Sequence, residues 1–291
     1  EELYVIEKKD FCDYFLILVD YISWCRQNGI IVGPGRGSAC GSLVCYLIGI
    51  TELDSIKYDL DFGRFLTIER KDLPDVDVDV SDRAPVVEYL TNKYGEDRVV
   101  QVMNIVFTTP VTSIRDAGRI LGFSYAEMQK VSKGFIQKTW QDCLEANSEI
   151  AENPRYAELL DYAGRITGRP RGYGIHAGGV IVCRQPYYEY IGIRHGQDGE
   201  HVISVDKIMD ERIGLVKFDI LGVASLVAIN EAMEEDHIPA WEININNPAF
   251  EHDKASYDLI CSGKTDSVFQ IESSGMKDLV AQLQPRSMEE L

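Results

Sequence analysis

The sequence has no pair of cysteines in CxxC spacing; its seven cysteines fall singly at 12, 25, 40, 45, 143, 183 and 261. An odd, scattered set argues against a disulfide framework and a cysteine-rich zinc site, and fits reduced thiols in a cytosol. No stretch of 18 apolar residues occurs, and the opening Glu1-Glu2-Leu3 lacks the features of a secretion signal. The expectation is therefore a cytoplasmic protein with no membrane partner. Internal repeats and low-complexity tracts are absent. Basic residues are scarce: 29 Lys and Arg stand against 47 Asp and Glu, a net charge of −18 over 291 residues. Taken alone, that balance argues against a nucleic-acid partner, whose phosphates attract basic surface. What is present is a 45% apolar and 10% aromatic composition, enough for a true core. At roughly 150 residues per domain, the length suggests about two domains.

The acid excess is uneven. Residues 226–291 hold thirteen acidic and four basic side chains, whereas 162–188 contain Arg165, Arg169, Arg171 and Arg184 and no acid. Residues 98–141 carry six basic and two acidic side chains. Screening limits the reach of exposed charge to roughly 8–10 Å, so either segment could meet a polyanion; solvated helix faces would look the same.

Apolar spacing predicts a helix from Phe11 to Asn28 ended by Gly29, then a short strand from Ile30 to Val32 and a glycine-rich turn, Gly33–Gly37. Ser38 is the expected N-cap of a small-residue helix reaching about Ile48. Strict alternation over Asp75–Val80 predicts a strand, followed by a helix at Ala84–Tyr94 and a strand at Val99–Val106. Ser113 to about Ala163 reads as mostly helical, the best candidate for an inserted subdomain. Strands are expected at Gly179–Cys183, His201–Val205 and Ile213–Leu221, and a helix at Ala224–Glu235.

The strongest chemical signal is Asp75-Val-Asp77-Val-Asp79. On a strand, alternate side chains share a face, so carboxylates line one side while valines bury the other. Carboxylates so close repel one another unless a cation neutralises them, and oxygen is the donor that Mg²⁺ prefers. A solvated acidic edge strand is the competing explanation, but five aspartates within 71–82 favour metal. Asp219, on the same face as Lys217 in the later strand, is the candidate third carboxylate, since a two-metal site needs one from a neighbouring strand. The loop Gly33-Pro-Gly-Arg-Gly-Ser-Ala-Cys-Gly-Ser42 could bring backbone N–H groups to an anion, although it is no Walker A sequence. Arg36, Arg64, Arg70, Arg115 and Arg119 are candidate phosphate ligands, although taken singly each is more simply read as a surface or salt-bridge residue. His176 sits among the arginines and is more simply read as a structural hydrogen-bonder; His195, His201, His237 and His252 show no ligand spacing.

GPGRGSACGSLVCYLIGIT, FGRFLTIERKDLPDVDVDV, KYGEDRVVQV, IRDAGRILG, GIHAGGVIV, GLVKFDILG and SVFQIESSGM follow in order. In that order they resemble the alpha subunits of bacterial DNA polymerase III, the C-family replicative polymerases, in their DnaE-type branch. The sequence departs from the family at Val80, where phenylalanine is usual, in a short loop at Ser81–Pro85 and in lacking a TMAAK-like stretch over Phe107–Ser113.

The resemblance implies an α+β fold: a polymerase-beta-like nucleotidyltransferase palm (1–105 and 175–225), an inserted, mostly helical thumb (106–174) and the start of a fingers domain (226–291). It implies two Mg²⁺ ions on Asp77, Asp79 and Asp219, with Gly37, Ser38, Gly41 and Ser42 holding the triphosphate of the incoming nucleotide and Lys217 a basic residue at the active site. Arg36, Arg64 and Arg70, the candidate phosphate ligands, are then expected to serve that nucleotide too. Arg115, Arg119, Arg169, Arg171 and His176 would serve DNA. The implied partners are primer-template DNA and dNTPs, with the sliding clamp and other replisome subunits reached through parts outside this chain. Against the family's full plan, the PHP, clamp-binding and OB regions are absent, so the chain is expected to be a palm-and-thumb fragment. A catalytically incomplete piece that only binds DNA or nucleotide, a metal-dependent nuclease and a transferase acting on a non-DNA acceptor are the alternatives.

Overall fold

The computed structural model describes residues 1–70, 73–196, 199–204, 215–237, 245 and 253–291. Asp72, the expected strand residues Val205, Ile213 and Gly214, and His252 lie outside them. Helix α1 (Glu2–Lys8) opens the chain and is too short to leave a periodic signal. Helix α2 (Cys12–Gln27) forms where spacing places it and buries Tyr14, Phe15, Leu18, Tyr21, Ile22 and Cys25. It stops before Gly29, whose φ of +74° suits glycine.

Two expectations fail just beyond. Ile30–Val32 forms no strand, only a single bridge from Val32 to Val80. Ser38 caps no α-helix: Gly37–Gly41 is a 3-10 turn, and Ser42 caps the short α3 (Leu43–Leu47) by accepting the Cys45 N–H. Two glycines within five small residues hold α-helix too weakly, and the tighter turn replaces it.

Strand β1 (Asp77–Val80) is shorter than its alternation. The Val76 N–H is held by the Tyr14 hydroxyl at 3.2 Å rather than by a strand neighbour, which leaves Asp75 outside the ladder. Helix α4 (Ala84–Tyr94) carries a proline in its first turn and ends at Gly95, φ +107°. Strand β2 (Val99–Phe107) leads to α5 (Pro110–Ile120), which a reciprocal Thr109–Thr112 capping box starts. Helices α6 (Tyr125–Ser132), α7 (Trp140–Ala146), α8 (Ser148–Ala151) and α9 (Ala157–Ile166) follow. Strand β3 (Pro170–Val182) starts well before Gly179, because its arginine- and glycine-rich half has no apolar alternation to announce it. Strands β4 (Ile193–His195), β5 (His201–Ile203) and β6 (Lys217–Gly222) complete the sheet. Helices Ala224–Asp236, Lys254–Cys261 and Ser274–Leu283 lie beyond it.

Among the described residues the fold is therefore mixed α and β around one six-stranded sheet in the order β1-β6-β3-β2-β5-β4. Strand β6 runs parallel to β1 and antiparallel to β3. The chain divides into two compact units, one of residues 1–102 and 176–291, the other of 103–175. The first has its main core between α2, α4 and the β1–β6 pair, including Leu18, Tyr21, Val78, Leu90 and Phe218. The second is helical and closes on Ile114, Met128, Phe135 and Leu159. There Gly118 is required, since a Cβ would stand 2.1 Å from the Met128 sulfur.

Candidate active site

The parallel register sets Asp77 opposite Asp219, Val78 opposite Ile220 and Asp79 opposite Leu221. Residues opposite one another share a sheet face and alternate residues return to it, so Asp77, Asp79 and Asp219 project from one side. Val78, Val80, Phe218 and Ile220 are buried behind them, and the Phe218 ring stacks on Tyr14 with centroids 4.7 Å apart. Burying each such side chain is worth about 1.5–3 kcal/mol. A one-residue slip would turn this apolar set to the carboxylate side, and its burial is what fixes the register. Antiparallel strand β3 sets Gly179 opposite Asp219 on its other flank.

The glycine-rich loop meets this face. The Arg36 Nη1 donates to Asp77 Oδ2 at 2.8 Å, and its Nε to Asp79 Oδ2 at 3.0 Å and Oδ1 at 3.2 Å. Lys217 pairs with Asp219 and lies 3.9 Å from Asp75. Burial and the charges of Asp75, Asp219 and Asp79 lift the Asp77 carboxyl above the ordinary aspartate range, against the pull of Arg36. Burial opposes the charge on Arg36, but the hydrogen bond and charge of Asp79, with Asp77 and Asp219 beyond, hold its pKa above the usual value. The carboxylates are thus crowded, and two cations restrain them.

The donor set suits a hard cation, being carboxylate oxygen throughout. Asp219 is 9% exposed, and its Oδ1 has no hydrogen-bond partner among the described residues. A buried orphan of this kind is costly, and a cation would satisfy it. A Cβ at Gly178 would stand 3.5 Å from that oxygen, and one at Gly37 3.6 Å from Asp77 Oδ2, so both glycines leave room beside the carboxylates. Among the described residues, no three His, Cys, Asp or Glu side chains already converge as a metal-holding group. The aspartates share a face, with Arg36 and Lys217 standing where positive charge is needed.

The other site residues divide. Gly37 and Ser38 are exposed beside the carboxylates. Gly41 and Ser42 are buried: a Cβ at Gly41 would stand 2.6 Å from the Asp61 carbonyl oxygen, and the Ser42 hydroxyl donates to Glu2 at 2.8 Å. The same Glu2 carboxylate accepts the Leu43 and Val44 N–H groups, so this end of the loop is fully engaged. Arg64 and Arg70 are exposed, and an Arg70 Nη1 reaches the Arg64 carbonyl at 3.4 Å. In the helical unit, Asp116 pairs with Arg171 at 3.0 Å and lies 3.8 Å from Arg119, while Arg115 donates to the Ser132 hydroxyl. Arg115, Asp116, Arg119, Phe123, Tyr125 and Met128 line a cavity of about 290 Å³ there. Arg169 is exposed. His176 belongs to the sheet unit, and its Nδ1 accepts the Gly178 and Gly179 N–H groups. Separate units therefore hold the arginines and the histidine named for DNA.

Sequence reasoning missed three supports. Glu2 caps α3 from forty residues away, and Tyr14 backs β1. Arg83 donates to the Ile220 carbonyl at 3.0 Å and to the Gln101 side chain, tying down β6 just past Asp219. None has a local pattern to reveal it.

Residues 1–222 match the family described as the bacterial DNA polymerase III alpha NTPase domain, and residues 223–291 the bacterial DNA polymerase III alpha subunit finger domain. The whole chain aligns with the DNA polymerase III subunit alpha of Escherichia coli strain K12 at 38% identity, covering 26% of that protein. Identity is 36% to the subunit of Aquifex aeolicus and 34% to that of Thermus aquaticus, over 28% and 25% of their lengths. The chain belongs to the bacterial DNA polymerase III alpha family and spans about a quarter of the length of these relatives.

Proposed function

We propose that this chain carries the catalytic centre of a DNA-directed DNA polymerase, acting on primer-template DNA and dNTPs in replication. In this reading 1–105 and 175–225 are a palm of the polymerase-beta-like nucleotidyltransferase type. Residues 106–174 are the thumb, and 226–291 begin the fingers. The observation that carries the reading is the register of Asp77 against Asp219, with Asp79 on the same face and the glycine-rich loop against it.

Asp77, Asp79 and Asp219 would hold two Mg²⁺ ions. When bound, these supply Lewis-acid neutralisation of the charge that develops on the primer 3′-oxygen and the leaving pyrophosphate. The chain's own contribution is positioning and fixed charge, which carry most of the catalysis in phosphoryl transfer. Gly37 and Ser38 offer exposed backbone to the triphosphate, and Arg36 offers a planar fork. Lys217, half-buried and paired with Asp219, stands as a basic side chain at the reacting centre. Strand β1 cannot tilt its carboxylates away, because the valines behind them are locked in the core. Arg119, Arg169 and Arg171 stand exposed to hold template and primer phosphates without reading sequence.

Primer extension by the 291-residue chain, with pyrophosphate release measured alongside, tests this. Asp77→Ala and Asp219→Ala should each lower incorporation by at least about 100-fold. Undiminished incorporation in either variant, or no template-directed incorporation by the parent, contradicts the proposal. Shortened strands formed without dNTP would assign the same carboxylates to hydrolysis instead.

A further inference from the structure

We propose that Arg36 exchanges partners during the reaction cycle. Without divalent cations it neutralises Asp77 and Asp79; when cations enter, it leaves these carboxylates for the triphosphate of the nucleotide. This rests on the polymerase reading above and adds to it a coupling between cation and nucleotide.

The geometry carries the argument. Arg36 bonds both β1 carboxylates, at 2.8 Å to Asp77 and 3.0 Å to Asp79. A cation held by the same oxygens would meet the guanidinium at close range, where two like charges about 4 Å apart repel strongly at a partly buried site. One of them has to leave. Arg36 is free to be the one, because it lies between Gly35 and Gly37, at φ +111° and +70°. Two such glycines let the loop change its path with little steric cost. Lys217 has no such freedom: it sits on a strand beside its partner Asp219, with its side chain 9% exposed. Arg36 is 24% exposed and adjoins the exposed Gly37 and Ser38, the side from which a triphosphate would arrive. A guanidinium matches phosphate oxygens in pairs and loses little by trading one bidentate anion for another. The exchange makes cation and nucleotide binding mutually reinforcing, since each relieves a cost that the other meets.

The test is a Mn²⁺ titration of the 291-residue chain followed by electron paramagnetic resonance, with a parallel titration of a fluorescent dNTP. Arg36→Gln should bind Mn²⁺ about tenfold tighter than the parent, equivalent to about 1.4 kcal/mol. The same variant should bind the dNTP about tenfold more weakly when Mn²⁺ is present, and no differently from the parent in EDTA. These opposite signs separate exchange from bracing. If Arg36 only braces the loop, Arg36→Gln weakens or leaves unchanged its Mn²⁺ binding with an intact far-UV circular dichroism spectrum, and the exchange is overturned. Should Arg36→Gln not fold, Arg36→Lys decides, with the same signs expected at about threefold, as it keeps the charge and loses the fork. Parent binding of Mn²⁺ that Asp77→Asn does not weaken overturns the metal reading itself, and the exchange with it. Asp77-dependent binding without the gain in Arg36→Gln overturns the exchange alone.

Discussion

Charge is handled in opposite ways in the two units. In the sheet unit Asp77, Asp79, Asp219, Arg36 and Lys217 come from three separate stretches of chain to one face, and each anion meets a cation. In the helical unit the arginines stand at the surface. Asp116 pairs with its near neighbour Arg119 at 3.8 Å and with Arg171 at 3.0 Å, and Arg169 is exposed. The first arrangement depends on register, so a change in one member disturbs the rest. The second depends on exposed side chains, and those with no partner in common among the described residues, such as Arg119 and Arg169, should act additively. A net charge of −18 says nothing of this difference, because a polyanion meets one surface at a time.

The strongest attempt to break the contrast is made beneath the two surfaces. Phe218→Ala removes the ring behind Asp219 and should cost about 3–5 kcal/mol in urea denaturation, lowering Mn²⁺ affinity with it. Leu159→Ala, fully buried in the helical unit, should cost about 2–5 kcal/mol and leave Mn²⁺ affinity unchanged. Equal losses of Mn²⁺ affinity would erase the distinction. A smaller effect sharpens it: Arg119→Ala and Arg169→Ala should each reduce the slope of log Kd for duplex DNA against log salt by about 1, and the double variant by about 2. A strongly non-additive double variant would mean that these arginines, too, act as a unit.

The smallest expected effect is a pH dependence at Asp77. Its carboxyl is held above the ordinary aspartate range, chiefly by burial, so the folded state takes up a proton more readily than the unfolded one. The stability this contributes is complete below the unfolded pKa and is lost as pH rises through the folded one. Asp77→Asn should therefore raise Tm at neutral pH, and the gain should vanish in acid below the ordinary aspartate pKa. A Tm unchanged or lowered at neutral pH would contradict this account of the crowded face.

Both strands of the site were legible because each alternates apolar and charged residues, a pattern that burial on one face imposes. Their parallel pairing was not: no local signal links Asp77 to a residue 142 positions later, and only the demand of a two-metal site for a neighbouring carboxylate, with the motif resemblance, suggested that the strands adjoin. The loop reads as phosphate-like from its glycines, yet its cap is Ser42 and not the expected Ser38, because the partner that settles Ser42 is Glu2, remote in sequence. Arg36 reads as either a phosphate ligand or a salt-bridge residue, and the structure shows the ion pairs; that its partners are Asp77 and Asp79 depends on a loop path that spacing does not encode. The first half of β3 is illegible for the converse reason, since glycine and arginine form strand there without any apolar stripe.

The central claim, that register pools Asp77, Asp79 and Asp219 around hard cations, is tested most directly by anomalous diffraction from Mn²⁺-soaked crystals. The account expects peaks between β1 and β6 on oxygens of all three aspartates, with the Arg36 guanidinium moved off them. Peaks elsewhere, or none on this face with Arg36 still spanning Asp77 and Asp79, would contradict it.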